Sequence, residues 1–151
     1  MTKKDKELLL KDLSARQLYK VVLFCKDDNE DIRIGRMTDF CCDLPYTPTI
    51  WIVDNKNNLP YEYRPTYEIV KPYLRPMSSM TEEEQKELEK IIDGILGYKA
   101  KNYFHSEDDY KWNTLYETID WLNAHHFDYR GLIEKGLAIE APEGMYNVKE
   151  K

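Results

Sequence analysis

The sequence predicts an α+β fold: a small antiparallel sheet or open barrel over residues ~19–76, followed by two or three helices over ~81–135. Three observations carry this expectation. Short β-branched and aromatic runs fill the first half. Six of the seven prolines fall between residues 45 and 76, where they bound short strands. At Thr81 the pattern changes to helical capping and helical spacing. The 151 residues are expected to form one domain, large enough to bury roughly 70% of the surface that the unfolded chain exposes.

Residues 5–18 suit a short leading helix, with Leu8, Leu9, Leu13 and Leu18 as its apolar positions. Tyr19–Cys25 reads as a buried strand because nearly every residue is β-branched, aromatic or aliphatic. Asp27, Asp28, Asn29 and Glu30 supply turn chemistry, and Ile32–Met37 alternates apolar with polar, so a hairpin is the simplest pairing. Thr49–Val53 is a third strand, closed by Asp54–Asn58, and Tyr61–Arg64 a weaker fourth. Ile69–Pro76 reads as an extended crossing segment.

Thr81-Glu82-Glu83-Glu84 is a capping box: the Thr hydroxyl takes the Glu84 amide while the Glu84 carboxylate reaches back. Leu88, Ile91, Ile92 and Ile95 follow at helical spacing as buried positions, and Gly97 is the expected C-cap. Residues 98–111 form a polar connection. A second helix is expected from about Trp112 to His125, with Leu115, Ile119 and Leu122 on one stripe. Asp128 is placed to cap a short third helix over Tyr129–Lys135, ended by Gly136 with Leu137 folding back, and Ala138–Pro142 is an extended tail.

Composition excludes several classes. No apolar run approaches the ~20 residues needed to cross a bilayer, so no membrane partner is expected. The N-terminal apolar stretch is too short for a signal peptide, and three cysteines fit a reducing compartment, so the expected location is cytoplasmic. The formal net charge of −6 argues against nucleic acid as the main partner. That charge is uneven: residues 1–76 hold 13 Lys/Arg against 12 Asp/Glu, residues 77–151 only 9 against 16.

Trp121–Ile133 is the densest chemical stretch, and His125, His126, Asp128 and Arg130 are its catalytic candidates. Adjacent histidines diverge by ~100° around a helix and cannot chelate one ion, even with His105 as a third ligand, so no metal and no cofactor are expected. Packing against a helix C-terminus is the preferred role for the pair, and a buried Asp128–Arg130 pair holding the turn that for the triplet. Cys41 and Cys42 lack any nucleophile signature and read, with Cys25, as small buried hydrophobes. Asp27-Asp28-Asn29-Glu30-Asp31 starts like a calcium loop but carries Ile32 where Gly is required and Thr38 where Glu is required. Tyr61, Tyr63, Tyr67 and Tyr73 are binding candidates, although the preferred role for these rings is the core of a small sheet poor in Leu and Ile.

The block Lys71 to Glu84, and that from Trp121 to Ile133 continuing to Pro142–Met145, resemble a group of uncharacterised small proteins encoded in gut bacteria and their phages or mobile elements. The resemblance covers the last half of the chain. It implies a bacterial or phage origin and a helical tail behind a more variable β module, with no activity and no functional residue attached.

The leading functional expectation is therefore a non-enzymatic accessory protein of a phage or mobile element that binds another protein. One alternative is a small hydrolase-type or metal-dependent enzyme using His125, His126, Asp128 and Arg130. Another is a nucleic-acid module, which requires Lys20, Lys26, Arg33, Arg36, Arg64, Lys71 and Arg75 to gather on one face of the sheet.

Overall fold

The computed structural model describes residues 1–41, 48–64, 69–99 and 107–146, with residues 94–99 and 107–114 described as backbone. Thr2 opens the first helix: its hydroxyl accepts from the Asp5 amide while the Asp5 carboxylate takes the Thr2 amide. This helix, α1, runs Lys3–Ala15. Leu9, Asp12, Leu13 and Arg16 share one stripe at helical spacing, and all four are buried. Leu18 was expected on that face but lies beyond the helix, 85% exposed.

Six strands follow: β1 (Val22–Lys26), β2 (Ile32–Cys41), β3 (Thr49–Asp54), β4 (Pro60–Tyr63), β5 (Ile69–Leu74) and β6 (Ile139–Glu140). They form one open sheet in the order β4-β3-β2-β1-β5-β6, antiparallel except for the parallel β5–β6 pair. The β1–β2 hairpin is the expected one. Asp27 Oδ1 accepts from the Asn29 and Asp31 amides, and Glu30 takes the left-handed conformation that closes the turn.

β2 is longer than its alternating stretch predicts. A bulge at Thr38 shifts the register between Met37 and Asp39, so Met37 and Phe40 both turn to the core. At Gly35 a Cβ would run into the Val53 carbonyl, and only glycine lets β2 and β3 approach this closely. The segment read as a crossing is strand β5, with Pro72 inside it. Leu74 O accepts from the Ala141 amide, so by alternation residue 72 also turns its backbone outward. β6 reaches only Tyr73 and Leu74, so the missing N–H falls on an open edge.

The capping box at Thr81 and Glu84 is present, and α2 (Glu82–Lys99) continues through Gly97 rather than stopping there. α3 spans Glu107–Ala124, starting before the expected Trp112. Because α2 packs chiefly on α3, it buries a single narrow stripe. Leu88 and Ile91 lie half-buried against Trp121, Leu122 and Phe127, while Ile92, one step further round, is 39% exposed. Ile95's side chain falls outside the described set. Leu115 is likewise exposed, not part of the α3 seam.

The third helix does not form. Residues 129–136 are a series of turns, although Gly136 (φ +67°) and the Leu137 amide bonded to Leu132 O reproduce the expected stop. The helices also divide differently from expectation. α2 and α3 build their own small cluster beyond the β5 edge, and it is α1 with Leu132, Leu137 and Ala138 that covers one face of the sheet.

Candidate functional site

The Trp121–Ile133 block begins where α3 ends. The His126 amide bonds Asn123 O and the Phe127 amide bonds Leu122 O, with His126 left-handed at φ +59°. This is a Schellman stop with histidine where glycine normally sits, and Phe127 makes its apolar contact with Leu122. Both histidines are buried, on different rings. His125 stacks on Trp121 at 3.9 Å and donates Nδ1–H to the Trp121 carbonyl, whereas His126 stacks on Tyr146 at 3.7 Å. Burial, reinforced by Arg16, His125 and Arg75, pushes the His126 pKa down to about 3, so this imidazole is neutral.

Asp128 spends both carboxylate oxygens on the Leu132 and Ile133 amides. It therefore does not pair with Arg130, whose Nε lies 3.3 Å from Asp12 and whose Nη2 meets the Tyr129 hydroxyl. Asp12 also holds Arg16 through two bonds, and Arg16 Nη2 donates to the Phe127 carbonyl at 2.7 Å. This fully buried pair ties α1 to the end of α3. Its signal in the sequence was an Asp and an Arg one turn apart on the same stripe as Leu9 and Leu13. Nearby, Arg75 grips Glu84 bidentately at 2.6 and 2.8 Å and covers the Phe127 ring. That grip, with the Thr81 amide, holds the Glu84 pKa down to about 2.

Two clefts flank these elements. One, of about 580 Å³, is lined by Glu83, Glu84, Glu87, Glu140 and Glu143 with Arg75 among them. The other, of about 440 Å³, is lined by Leu9, Val70 and Leu137 with Asp5, Lys71 and Lys135. His125, His126, Asp128 and Arg130 line neither. Among the described residues no group of three or more His, Cys, Asp and Glu side chains is placed to hold a metal ion. Likewise, no described helix is long and apolar enough to cross a membrane. Cys25 is buried and Cys41 half-buried; Cys42, His105 and Tyr67 lie outside the described residues.

Of the remaining tyrosines, Tyr63 and Tyr73 are buried. Tyr61 is half-buried beneath Arg33, which also donates to the Tyr63 hydroxyl. The Tyr146 hydroxyl inserts at the end of the β1–β5 ladder, accepting from the Val22 amide and donating to Tyr73 O. Burial raises its pKa above the ordinary phenol value.

The two faces of the sheet are unequal. One carries Leu23, Cys25, Met37, Phe40, Ile50, Ile52, Tyr63, Val70 and Leu74, all in the core under α1. By register the other carries, row by row, Ile69-Lys26-Ile32, then Lys71-Phe24-Ile34, then Tyr73-Val22-Arg36-Val53-Pro60, then Asp39-Trp51-Glu62. Val22 and Tyr73 are buried, Phe24, Ile34, Trp51 and Val53 are half-buried, and Ile32 is 54% and Ile69 49% exposed; none of the last six belongs to either core cluster.

Of the seven basic residues considered for nucleic acid, Lys26, Arg36 and Lys71 share this face, and Arg64 follows β4 in the same alternation. Arg33 sits with Asp27 and Asp31, Arg75 is held by Glu84, and Lys20 occupies a left-handed turn before β1.

No protein-family model, curated protein or solved structure matches this chain significantly.

Proposed function

We propose that this chain is a non-enzymatic binding protein that docks another protein on the uncovered face of its sheet, and that it serves a phage or mobile element as an accessory factor. The observation that carries the docking reading is a mismatch between sequence and burial. An antiparallel sheet with one wet face alternates apolar and polar residues along each strand. β1 and the centre of β3 do not: Val22-Leu23-Phe24-Cys25 and Ile50-Trp51-Ile52-Val53 are apolar on both sides. Those are sequences of strands covered twice, and here Leu23, Cys25, Ile50 and Ile52 lie in the core and Val22 is buried, while Phe24, Trp51 and Val53 are only half-buried and belong to neither core cluster. Contiguous apolar surface of this kind marks an interaction site. The phage or mobile-element setting rests on the resemblance alone.

The enzymatic reading has less support, because Asp128 and Arg130 are engaged by backbone amides, Asp12 and Tyr129. The docking reading is tested by affinity capture from the source organism with the native chain, Phe24→Ser, Trp51→Ser and a control, Leu115→Ser. The expected result is one protein whose recovery falls at least ~30-fold with the two sheet variants and not with the control, as for loss of a central aromatic anchor. The same recovery from all four chains overturns the proposal, as does recovery that nuclease treatment abolishes.

A further inference from the structure

The geometry points to an acidic amphipathic helix as the occupant of the uncovered sheet face, with one of its carboxylates meeting Arg36 and another Lys71. This rests on the docking reading above and adds the chemistry of the partner.

The charges on that face are not balanced. Glu62 holds Arg64, Asp39 takes the Gln17 amide group and the Phe40 backbone amide, and Lys26 pairs with Glu30. Arg36 and Lys71 have no carboxylate partner among the described residues, and partly exposed apolar side chains flank both: Val53 and Ile34 by Arg36, Phe24 and Ile69 by Lys71. Covering such cations with an apolar surface strips their water and leaves two charges unpaired, which opposes binding. A partner that buries the patch must therefore bring anions to these two points and apolar groups between them.

Spacing and backbone chemistry narrow the form. Arg36 on β2 and Lys71 on β5 stand two strands apart and two residues along, about 12 Å between Cα positions. Residues i and i+7 on one face of a helix are about 10.5 Å apart, within reach of these long side chains, and i+3 and i+4 then fall over β1 beside Phe24. An isolated strand laid on the face has no backbone partner there, because the sheet's own amides and carbonyls lie in its plane. A helix satisfies its backbone internally. The overall charge of −6 does not oppose this, since the sheet half holds 13 cationic side chains against 12 anionic ones.

Fluorescence anisotropy with the full chain and two labelled, stapled helical peptides tests the inference. One peptide carries Glu at i and i+7 with Leu at i+3 and i+4; its twin carries Lys in place of Glu. The expected result is binding of the Glu peptide at least ~10-fold tighter than its twin, loss of that preference in Arg36→Gln/Lys71→Gln, and its reversal in Arg36→Glu/Lys71→Glu. Both variants are checked for an unchanged melting temperature. Equal affinity for the two peptides, weakened in both cases by Trp51→Ser, overturns the acidic partner while leaving the docking surface in place. No binding of the Glu peptide, or binding of an oligouridine 15-mer in preference to it, overturns the inference.

Discussion

The same strands present two different surfaces. Beneath α1, Leu23, Met37, Ile50 and Ile52 are fully buried, whereas their neighbours Phe24, Trp51 and Val53 turn to the other face and are only half-buried. Trp51 and Ile52 are neighbours in β3 and belong to different environments. What separates them is not hydrophobicity but cover: Ile52 belongs to the core under α1, and among the described residues neither core cluster includes Trp51. The lesson is that an apolar residue on a strand reports a need for burial, and only the packing of the rest of the chain tells whether this molecule meets that need itself.

The largest effects should come from the covered side. Asp12→Ala leaves Arg16 as a buried, uncompensated cation and should cost about 3–5 kcal/mol, read as a drop in denaturation midpoint. Trp121→Ala opens the α2–α3 cluster beneath His125 and Phe127 at a similar cost, about 3–5 kcal/mol. If either variant melts like the native protein, the buried network is not what holds the helices to the sheet.

Titration should follow next in size. The folded pKa of His126, about 3, lies below the ~6.5 of an unfolded histidine, so the unfolded chain binds the extra proton. Stability is then full above about pH 6.5 and falls as pH drops toward 3, by about 1.4 kcal/mol per pH unit once well below 6.5. His126→Gln should flatten that slope between pH 6 and 5 even if it lowers overall stability. Glu84 acts in a lower window. Its folded pKa of about 2 is depressed, so its contribution is present above about pH 4.5 and lost as pH falls toward 2. Glu84→Gln should therefore cost about 2 kcal/mol at pH 7, and almost nothing at pH 2. Melts across this pH range check both.

The smallest stability effects belong to the uncovered side. Phe24→Ser and Trp51→Ser should each cost about 1 kcal/mol, because the rings are only half-buried and lie outside the core clusters, while Ile52→Ala should cost about 2–5 kcal/mol.

Much of the fold was legible because it rests on local chemistry. The Asp27 turn, the first three strands and the Thr81–Glu84 cap follow from residue type and spacing. What escaped depended on partners distant in sequence. The buried Asp12–Arg16 pair takes its meaning from Phe127 and Arg130, which arrive from beyond residue 125. The α3 stop went unrecognised as a Schellman turn because its left-handed residue is a histidine, held there by the Tyr146 ring. β6 is two residues paired to a strand 66 positions earlier. The candidate site was half visible. The apolar run of β1 announced burial, but nothing in it said that one side would stay open. Of the basic residues, only the register shows that Arg36 and Lys71 share that side.

The central claim is that the open face exists to be covered by a partner, and it is tested most directly by comparing Trp51→Ser with its neighbour Ile52→Ser. Melting temperature and recovery of the bound protein are measured on the same samples. Ile52→Ser should lose fold and binding together, whereas Trp51→Ser should melt within a few degrees of the native chain and no longer retain the partner. A Trp51→Ser protein that retains its partner undiminished, or that unfolds as Ile52→Ser does, would contradict it.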